Sequence, residues 1–348
     1  MIRIKDLNRK WKEFTLKDID LHVHEGEYFV ILGPSGAGKT LLLEVVAGFH
    51  SPDSGEIFFG SRNVTDLPPE KRNVAFVYQN YSLFPHLDVL KNIEFGMRMK
   101  GIKDRAKVEK IAEYLNISHL LHRNTYTLSG GEKQRIAIAR SLVTEPDVML
   151  LDEPLSALDP RAQDTGRKIL KKIHKDSRLT VIHVTHDQTE ARVMADRIAV
   201  MMNGRIVQVD TPEKLFNRPI DDKIAHFLGV ENVLKGTVTA NDDGVTLIEV
   251  EGTIVEAISD YAVGDVVYAC LRPENVTLSK MRIKTSARNI FEGEIIETEI
   301  LGALVRVKMD CGFILNAFVT RQSAEELEVK TGSHFIASFK TTAVHVVL

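Results

Sequence analysis

Short apolar runs alternate with helical patterns over the first two-thirds of the chain, and several of the runs end at turn residues or polar residues. They are Tyr28–Leu32, Val74–Tyr78, Val148–Leu151, Thr180–Val184 and Ile198–Met202. Runs of strand-forming residues without a polar face predict strands that are buried on both sides. We therefore expect an α/β fold with a largely parallel sheet and helices on both of its faces.

A mostly helical stretch interrupts this alternation from about Leu87 to Thr127. Its apolar residues recur at helical spacing, at Val108, Ile111, Ala112, Leu115 and Ile117. Such spacing places most of them on one face of a helix that packs against a neighbour. Together with the helix that follows, it predicts a helical subdomain over about residues 87–147.

The pattern changes again after about Val230, where apolar and polar residues alternate in short runs. Turn sequences such as Asp242-Asp243-Gly244 separate the runs, as is typical of hairpins. The stretches Gly236–Leu278 and Gly293–Val347 have a similar layout, which indicates a duplicated barrel. We predict a first domain over residues 1–230 and an all-β domain over residues 235–348.

The length and composition of the chain fit this two-domain interpretation, and its charge argues against one class of protein. The chain has 348 residues, of which 44% are hydrophobic and 27% charged. Its formal net charge of -3 argues against a nucleic-acid-binding protein, and we expect the basic run 168–178 to be a solvated helix face.

The chain shows no sign of entering or crossing a membrane. No apolar stretch approaches the roughly 20 residues of a membrane span, and residues 1–14 lack the apolar core of a signal peptide. Cys270 and Cys311 lie far apart and lack metal-ligand spacing, so we expect buried thiols in a reducing compartment. The predicted location is the cytosol or the cytoplasmic face of a membrane.

A phosphate-binding loop follows the first of the apolar runs. It reads Gly33, Pro34, Ser35, Gly36, Ala37, Gly38, Lys39, Thr40 and matches G-x-x-x-x-G-K-[ST] between a predicted strand and a predicted helix. Successive N–H groups at a helix N-terminus bind a triphosphate well. We expect Lys39 to reach the β- and γ-phosphates and the Thr40 hydroxyl to bind Mg²⁺.

Two acidic residues end the predicted strand Val148–Leu151. Acids at the carboxyl end of a buried parallel strand point into the crevice where ligands bind. Asp152 therefore suits a Mg²⁺ ion, directly or through water, and Glu153 suits a general base for the attacking water.

A further set of motifs identifies a family. The sequence Leu128-Ser129-Gly130-Gly131-Glu132-Lys133-Gln134-Arg135 occurs with Gln79, with the loop Ser156-Ala157-Leu158-Asp159 and with His186. In their order along the chain, these motifs resemble those of the nucleotide-binding domain of ABC transporters, a P-loop NTPase fold. The resemblance extends over about residues 1–228. The resemblance implies an ATPase that uses Mg²⁺ and acts with transmembrane permease subunits and, indirectly, an extracytoplasmic substrate-binding protein.

The resemblance also implies roles for individual residues. Ser129, Gly130 and Gly131 contact the γ-phosphate of ATP held by a second copy of the chain, so that two ATP molecules lie between two copies. Asp159 steadies that dimer contact. His186 contacts the γ-phosphate and the attacking water. Gln79 is a ligand of Mg²⁺ and the sensor that joins the Mg²⁺ site to the helical insertion.

Two assignments stay open at the level of sequence. The family uses an aromatic ring near the N-terminus to stack on adenine, and Trp11 holds that place while Phe14 is the alternative. The apolar residues Leu83, Phe84 and Phe95 form either a socket for a helix of the permease or part of the core of the helical subdomain.

The C-terminal region resembles two known modules. The sequence Leu271-Arg272-Pro273-Glu274-Asn275-Val276 resembles the TOBE module of import ATPases, and the last 63 residues or so resemble the molybdate-binding barrel of molbindins. A tetrahedral dianion needs hydrogen-bond donors and positive charge. The candidate ligands, which two subunits could share across an interface, are Ser286, Arg288, Thr320, Ser323, Lys340 and Thr342.

The sequence therefore favours the ATPase subunit of a molybdate or tungstate importer, with no preference between these two anions. We hypothesise that cytosolic oxyanion binds the C-terminal domain and inhibits the ATPase. An importer ATPase for sulfate, sugar, polyamine or iron is the alternative within the family. A soluble ABC ATPase that acts on DNA or ribosomes is the alternative from another class.

Overall fold

The computed structural model describes residues 1–348, which divide into two compact units, Met1–Leu215 and Phe216–Leu348. The strands of the first unit are β1 (Ile2–Lys10), β2 (Thr15–Val23), β3 (Tyr28–Leu32), β4 (Ser54–Phe59), β5 (Arg62–Asn63), β6 (Val74–Val77), β7 (Val148–Asp152), β8 (Thr180–Thr185), β9 (Arg197–Met202) and β10 (Arg205–Asp210). Its helices are α1 (Lys39–Ala47), α2 (Val89–Met99), α3 (Arg105–Tyr114), α4 (Gly130–Leu142), α5 (Pro160–Ser177), α6 (Gln188–Met194) and α7 (Pro212–Asn217), which reaches the division between the units.

A six-stranded sheet forms the centre of the first unit, in the order β10-β9-β3-β8-β7-β6. All neighbours in it are parallel except β10, which runs antiparallel to β9. Every residue of β3, β7 and β8 is buried, as their continuous apolar sequences predict. The carboxyl ends of these three adjacent strands meet at one edge of the sheet, which is where ligands bind in α/β folds. The predicted α/β class is confirmed.

A second, antiparallel sheet covers the same core and was not predicted from the sequence. Its strand order is β2-β1-β4-β5. Alternate residues of β1 and β2 are buried together with residues of β3 and α1. The apolar and charged residues of the first 23 positions do alternate, which is the pattern of a strand with one solvated face.

The helical insertion between β6 and β7 begins at well-capped helices. The side chain of Asp88 accepts a hydrogen bond from the N–H of Lys91 at the start of α2, and Asp104 accepts one from Lys107 at the start of α3. Both helices pack against α4. None of the helices of the protein is long and apolar enough to span a bilayer.

The second unit is built almost entirely of strands, which confirms the all-β prediction. Its elements are α8 (Asp222–Phe227), β11 (Asn232–Asp242), β12 (Val245–Val250), β13 (Thr253–Ile258), β14 (Val266–Leu271), β15 (Thr277–Ser279), β16 (Asn289–Leu301), β17 (Leu304–Asp310), β18 (Ile314–Thr320), α9 (Arg321–Glu326), β19 (His334–Phe339) and β20 (His345–Val347).

These strands form two five-stranded sheets that exchange their last strands. The sheets have the orders β13-β12-β11-β14-β20 and β15-β19-β16-β17-β18. The short strand β15 at the end of the first repeat therefore pairs with β19 of the second, and β20 at the end of the second repeat pairs with β14 of the first. Residues of both sheets share one apolar core.

Both cysteines lie in the second unit as buried thiols, as the sequence predicted. Burial raises the pKa of Cys270 to about 12 and that of Cys311 to about 11. Both side chains are therefore neutral thiols near pH 7 and lack the thiolate that metal binding and nucleophilic attack require.

Candidate active site

The loop between β3 and α1 approaches its neighbours so closely that two of its positions require glycine. A Cβ atom at Gly33 would lie 2.3 Å from the carbonyl oxygen of Met201. Gly38 caps α1 with a φ of 100°, and a Cβ there would lie 2.5 Å from the ring of Phe14. Between them, Pro34, Ser35 and Gly36 are exposed at the N-terminus of α1, while Ala37 is buried. The loop therefore presents its exposed backbone at an anion-binding helix end.

Lys39 lies folded over this loop. Its ammonium group donates to the carbonyl oxygens of Gly33, at 2.8 Å, and Pro34, at 3.0 Å. The side chain is buried, and burial lowers the pKa of Lys39. These two neutral carbonyls do not compensate a buried charge fully, so an anionic group beside Nζ would bind favourably.

Thr40 and Asp152 join the loop to the end of β7. The Thr40 hydroxyl donates to Oδ1 of Asp152 at 2.8 Å. Asp152 is buried, and desolvation raises its pKa although this hydrogen bond opposes the shift. A partly desolvated carboxylate beside a hydroxyl oxygen is a suitable pair of ligands for a hard cation such as Mg²⁺.

Glu153 is the centre of a hydrogen-bonded group at the same edge of the sheet. Its Oε1 lies 2.9 Å from Nδ1 of His186, and its Oε2 lies 3.5 Å from Nε2 of Gln79. Gln79 also donates to the hydroxyl of Ser156 at 3.2 Å. Glu153 has a φ of 44°, a left-handed conformation that is strained for a side chain of this size. Its N–H donates to the carbonyl of Val184, which holds this conformation.

The predicted catalytic residues are thus brought together from four separate parts of the chain. Gln79 follows β6, Asp152 and Glu153 end β7, His186 follows β8, and the phosphate-binding loop follows β3. Ser156 is a member of this group that we did not single out as a ligand or catalyst. Its hydroxyl donates to the carbonyl of Glu153 at 2.9 Å while it accepts from Gln79.

Ser129 begins helix α4 in a cleft of its own. Its hydroxyl and the Glu132 side chain form a reciprocal capping box, with the Ser129 N–H 2.7 Å from the Glu132 carboxylate. These hydrogen bonds from Ser129 lower the pKa of Glu132. Gly130, Gly131 and Asp159 line the same open cleft, which includes no residue of the loop 33–40. The signature residues and the phosphate-binding loop therefore do not share one site within a single chain.

Asp159 caps the next helix rather than contacting Ser129. Its side chain accepts hydrogen bonds from the N–H groups of Arg161 and Ala162 at the start of α5, both at 3.0 Å. The carboxylate thus fixes the turn 156–159, which forms one wall of the cleft.

The two aromatic candidates for the adenine contact lie in different surroundings. Phe14 packs against Gly38 of the loop and against Gly204. Trp11 lies half-buried with its ring edge-on to His50, at 5.6 Å between centroids, and beneath the guanidinium of Arg9. Both rings pack against the core of the first unit, Phe14 beside the loop and Trp11 beside His50 and Arg9.

The residues after Gln79 contact helix α4 through an arginine that no motif singled out. Arg140 donates to the carbonyls of Tyr81 and Ser82, at 2.9 and 2.8 Å, and lies over the ring of Phe84. Phe84 in turn packs on Phe95 of α2 at 4.3 Å between ring centroids. Leu83, Phe84 and Phe95 are all half-buried.

The six candidate oxyanion ligands fall into two groups within the second unit. Asn289 pairs with Phe339, so the neighbouring Arg288 and Lys340 lie at the beginning of β16. Ser286 and Thr342 are close to them in sequence, and all four are exposed. Thr320 pairs with Leu304 at the other end of β16 and forms a hydroxyl pair with Ser323 at 2.8 Å. The fold therefore does not gather all six residues at one place in one chain.

The fold and the site together define a P-loop ATPase of the ABC type. A model of the family described as ABC transporter matches residues 16–156, and a model of the TOBE domain matches residues 285–346. A solved dimeric ATP-binding cassette in a post-hydrolysis state, bound to ADP and Pi, is similar to the first unit. Its sequence identity is 31% and its TM-score 0.55, over 61% of this chain and 99% of that one.

Curated relatives extend the similarity over the whole chain. The molybdate/tungstate import ATP-binding protein of Pyrococcus abyssi is 45% identical over 99% of this chain and 100% of its own length. That of Pyrococcus horikoshii is 42% identical over 99% of each. A spermidine/putrescine import ATP-binding protein of Fusobacterium nucleatum subsp. nucleatum is 40% identical over 97% of this chain and 90% of its own. The chain belongs to the ABC transporter family of ATP-binding proteins and is an ATPase.

Proposed function

We propose that this chain hydrolyses ATP to power the import of molybdate or tungstate by a membrane-bound ABC transporter. The observation that carries the choice of substrate is the end-to-end similarity to the two Pyrococcus proteins, which includes the C-terminal unit. Polyamine import is the second candidate, because the Fusobacterium protein is similar over nearly the same length. Sulfate, sugar and iron import remain alternatives within the family.

The phosphate-binding loop is the proposed ATP site. Lys39 would exchange the carbonyls of Gly33 and Pro34 for phosphate oxygens, and the exposed loop from Pro34 to Gly36 would surround the phosphates. Thr40 and Asp152, with Gln79 beside them, would hold Mg²⁺. The ion would neutralise phosphate charge, and the fit rests on the oxygen pair that these two side chains already form.

Glu153 is the proposed general base. His186 and Gln79 hold one carboxylate oxygen each, which fixes the direction in which the group can accept a proton from water. In this proposal His186 also contacts the γ-phosphate and Gln79 reports on the occupancy of the Mg²⁺ site.

Two copies of the chain are needed to complete the proposed site. Ser129, Gly130 and Gly131 lie at a helix N-terminus that attracts anions, in a cleft without residues of the phosphate-binding loop. They would bind the γ-phosphate of ATP held by the other copy, with Asp159 beside the contact. The dimeric state of the similar cassette supports this arrangement.

Replacement of the Glu153 carboxylate by an amide of the same shape tests the proposed ATPase site. Glu153→Gln keeps the shape of the side chain but removes the base, so we expect ATP to bind and to drive dimer formation without turnover. The measurement is ATPase rate together with the molecular mass of the protein with and without ATP. Hydrolysis at the parent rate would remove Glu153 from its role, and a variant that stays monomeric with ATP would count against the two-copy site.

The C-terminal unit is the proposed oxyanion sensor. Because its candidate ligands lie at opposite ends of β16, we propose that each site takes Arg288 and Lys340, with Ser286 and Thr342, from one copy. Thr320 and Ser323 would come from the other. Bound anion would then favour one arrangement of the two copies and inhibit ATP hydrolysis.

Anion-dependent stability of the full-length chain tests the choice of substrate. Molybdate and tungstate at 100 times their dissociation constant should stabilise the protein by about 2.7 kcal/mol. Sulfate at equal concentration should stabilise it less. Arg288→Gln should abolish the effect, while Arg282→Gln, an exposed neighbour, should not. Equal stabilisation by sulfate, or none by any of the three anions, would contradict the proposed specificity.

The remaining assignments complete the proposal. Residues 1–230 act as the motor domain, with the helical subdomain over about 87–147, and residues 235–348 act as the regulatory domain. Leu83, Phe84 and Phe95 lie where the proposal places the permease contact, at the cytoplasmic face of the membrane. A substrate-binding protein outside the membrane would act on this chain only through the permease.

A further inference from the structure

A buried polar network surrounds the backbone of His186 and takes no part in the function described so far. Thr185, the last residue of β8, is 2% exposed, as is Glu190 of α6. The Thr185 hydroxyl donates to Oε2 of Glu190 at 2.9 Å and accepts a hydrogen bond from the N–H of Asp187 at 3.0 Å. The Asp187 side chain accepts from the N–H of Glu190 at 2.9 Å. Both neighbours of His186 are therefore held by one closed set of hydrogen bonds.

The same residue also contacts the phosphate-binding loop. The carbonyl of Thr185 accepts a hydrogen bond from the N–H of Gly33 at 3.4 Å. The carbonyl of Val184, one residue earlier, accepts from the N–H of Glu153 at 2.9 Å. The end of β8 thus fixes the loop, the general base and the backbone of His186 relative to one another.

The buried carboxylate of Glu190 lies beside a buried imidazole. Nε2 of His183 lies 3.4 Å from Oε2 of Glu190 but is not aligned for a hydrogen bond. His183 is fully buried, and its Nδ1 lies 3.0 Å from the hydroxyl of Tyr28 at the start of β3. Loss of the Thr185 hydroxyl would remove a hydrogen-bond donor from this buried carboxylate, which costs free energy.

The side chain of His186 needs such support because little else holds it. It is 52% exposed, and its contact to Glu153 is the single side-chain hydrogen bond that orients it. Its direction is therefore set by the backbone on either side, which is the part that Thr185 and Asp187 fix.

We propose that Thr185 and Glu190 are positioning residues for His186. They act through the backbone of residues 185–187. They keep the imidazole at a fixed position relative to Glu153 and to the phosphate-binding loop. This inference rests on the proposed role of His186 at the γ-phosphate. Loss of the network should let the imidazole move while leaving the loop able to bind ATP, because Lys39 and Thr40 keep their own contacts.

Replacement of the Thr185 hydroxyl by a methyl group is the direct test. In the full-length chain, Thr185→Val should lower kcat for ATP hydrolysis about ten- to a hundred-fold, since small displacements of a reacting group have effects of this size. KM for ATP should stay within about twofold of the parent value, because the contacts that bind ATP before the reaction are unchanged. Thr185→Ser restores the hydroxyl and should return kcat to near the parent value.

A second buried threonine of the same strand provides the matched control. Thr180 is 4% exposed and lies at the other end of β8. Its hydroxyl accepts a hydrogen bond from the N–H of Gly26. Thr180→Val should lower the thermal stability about as much as Thr185→Val does but should keep kcat. If both variants lose kcat in proportion to their loss of stability, the network is merely structural and the inference is overturned.

Two further variants keep the outcome decisive. Should Thr185→Val fail to fold, Glu190→Gln decides the matter: a lower kcat at unchanged KM supports the inference, and a full kcat contradicts it. His186→Ala separates this inference from the function on which it rests. An active His186→Ala overturns the role of His186 itself. An inactive His186→Ala beside a fully active Thr185→Val overturns only the positioning role.

Discussion

At the scale of single residues, the site combines groups that a motif reveals with groups that only the fold reveals. The pattern of the loop 33–40 identifies it directly, the Asp152-Glu153 pair gains its meaning from following that loop, and the Ser129 turn is identified by its resemblance to the ABC signature. Ser156, Arg140 and the pair Thr185–Glu190 were missed. Arg140 contacts carbonyl groups 58 and 59 residues away, and nothing in a local pattern indicates such a contact.

Burial of Asp152 leads to a prediction about pH. Because desolvation raises its pKa in the folded protein, the ionised carboxylate is disfavoured by folding when no metal is bound. The protonated Asp152 carboxyl group favours the folded state relative to its ionised form. This contribution to stability is lost as pH rises from the ordinary pKa of about 3.9 through the raised pKa of the folded protein. Asp152→Asn removes this loss, so its free energy of unfolding relative to the parent should increase with pH over that window and then level off.

Urea denaturation at a series of pH values measures the difference in free energy of unfolding. Asp147→Asn is the control, since Asp147 is an exposed acid just before β7. If the difference in free energy of unfolding between Asp152→Asn and the parent does not change across the acidic range, burial does not raise the pKa of this carboxylate. The same variant should lose Mg²⁺-dependent ATPase activity.

The two aromatic residues near the loop can be separated by truncation. Both residues are half-buried, but Phe14 already packs on Gly38 of the loop. We expect Trp11→Ala to weaken ATP binding by about 1–3 kcal/mol, the usual contribution of a base stacked on an aromatic ring. Phe14→Ala should instead lower the thermal stability, because it opens a gap against the loop. Calorimetric titration with ATP and thermal melts of both variants measure this, and the opposite pattern would assign adenine to Phe14.

At the scale of elements, the buried parallel strands were predicted to within one residue at nearly every end. Their sequences are continuously apolar, and β3 has the bounds that the pattern gave. The antiparallel sheet of β1, β2 and β4 was missed because each of its strands has a solvated face and its register contains bulges. Alternation that is broken by bulges gives a weak signal in sequence.

A buried arginine from another part of the chain contacts the C-terminal end of helix α1, and its role is visible only in the structure. Arg72, 2% exposed, donates to the carbonyls of Val45 and Val46 at the end of α1 and to those of Thr65 and Leu67. Arg72→Met would leave these carbonyl groups without donors. We expect the free energy of unfolding to fall by about 3 kcal/mol.

Chemical denaturation of this variant should be compared with that of Lys71→Met. Lys71 is the exposed neighbour, and its replacement should change stability by less than about 0.5 kcal/mol. Equal stability of the two variants would mean that water reaches the end of α1 and replaces the guanidinium.

The capping box of α4 allows the stability of the helix to be separated from its proposed contact with phosphate. Ser129→Ala removes the cap and should lower stability by about 1 kcal/mol. Ser129→Asn retains a capping side chain, so it should keep the stability but still reduce ATP-dependent dimer formation by its larger size. Thermal melts and the mass of the Glu153→Gln double variants with ATP would distinguish the two effects. Full dimer formation by Ser129→Asn would separate Ser129 from the phosphate contact.

At the scale of the molecule, the sequence predicted two kinds of fold in one chain but not how the second is assembled. The repeated layout of 236–278 and 293–347 indicated a duplication. The exchange of β15 and β20 between the two sheets was not predicted, because strands of three residues carry too little pattern to choose a partner.

The shared core of the two sheets leads to a prediction about cooperativity. Phe335→Ala removes a fully buried ring from β19 and should destabilise the second unit by about 3–5 kcal/mol. Amide hydrogen exchange should then speed up equally in β11–β14 and in β16–β19. Ile300→Ala, at a residue 62% exposed, is the control and should change neither. Faster exchange confined to β16–β19 would mean that the sheets open separately.

The strand exchange also determines what each repeat could do by itself. A fragment ending near residue 288 would keep β15 without the strand it pairs with, and β14 would lose β20. Each half would then expose a free sheet edge, which pairs readily with other chains and promotes aggregation. The duplicated halves therefore cannot be divided into two soluble modules, and an insertion or a proteolytic cut between them would damage both.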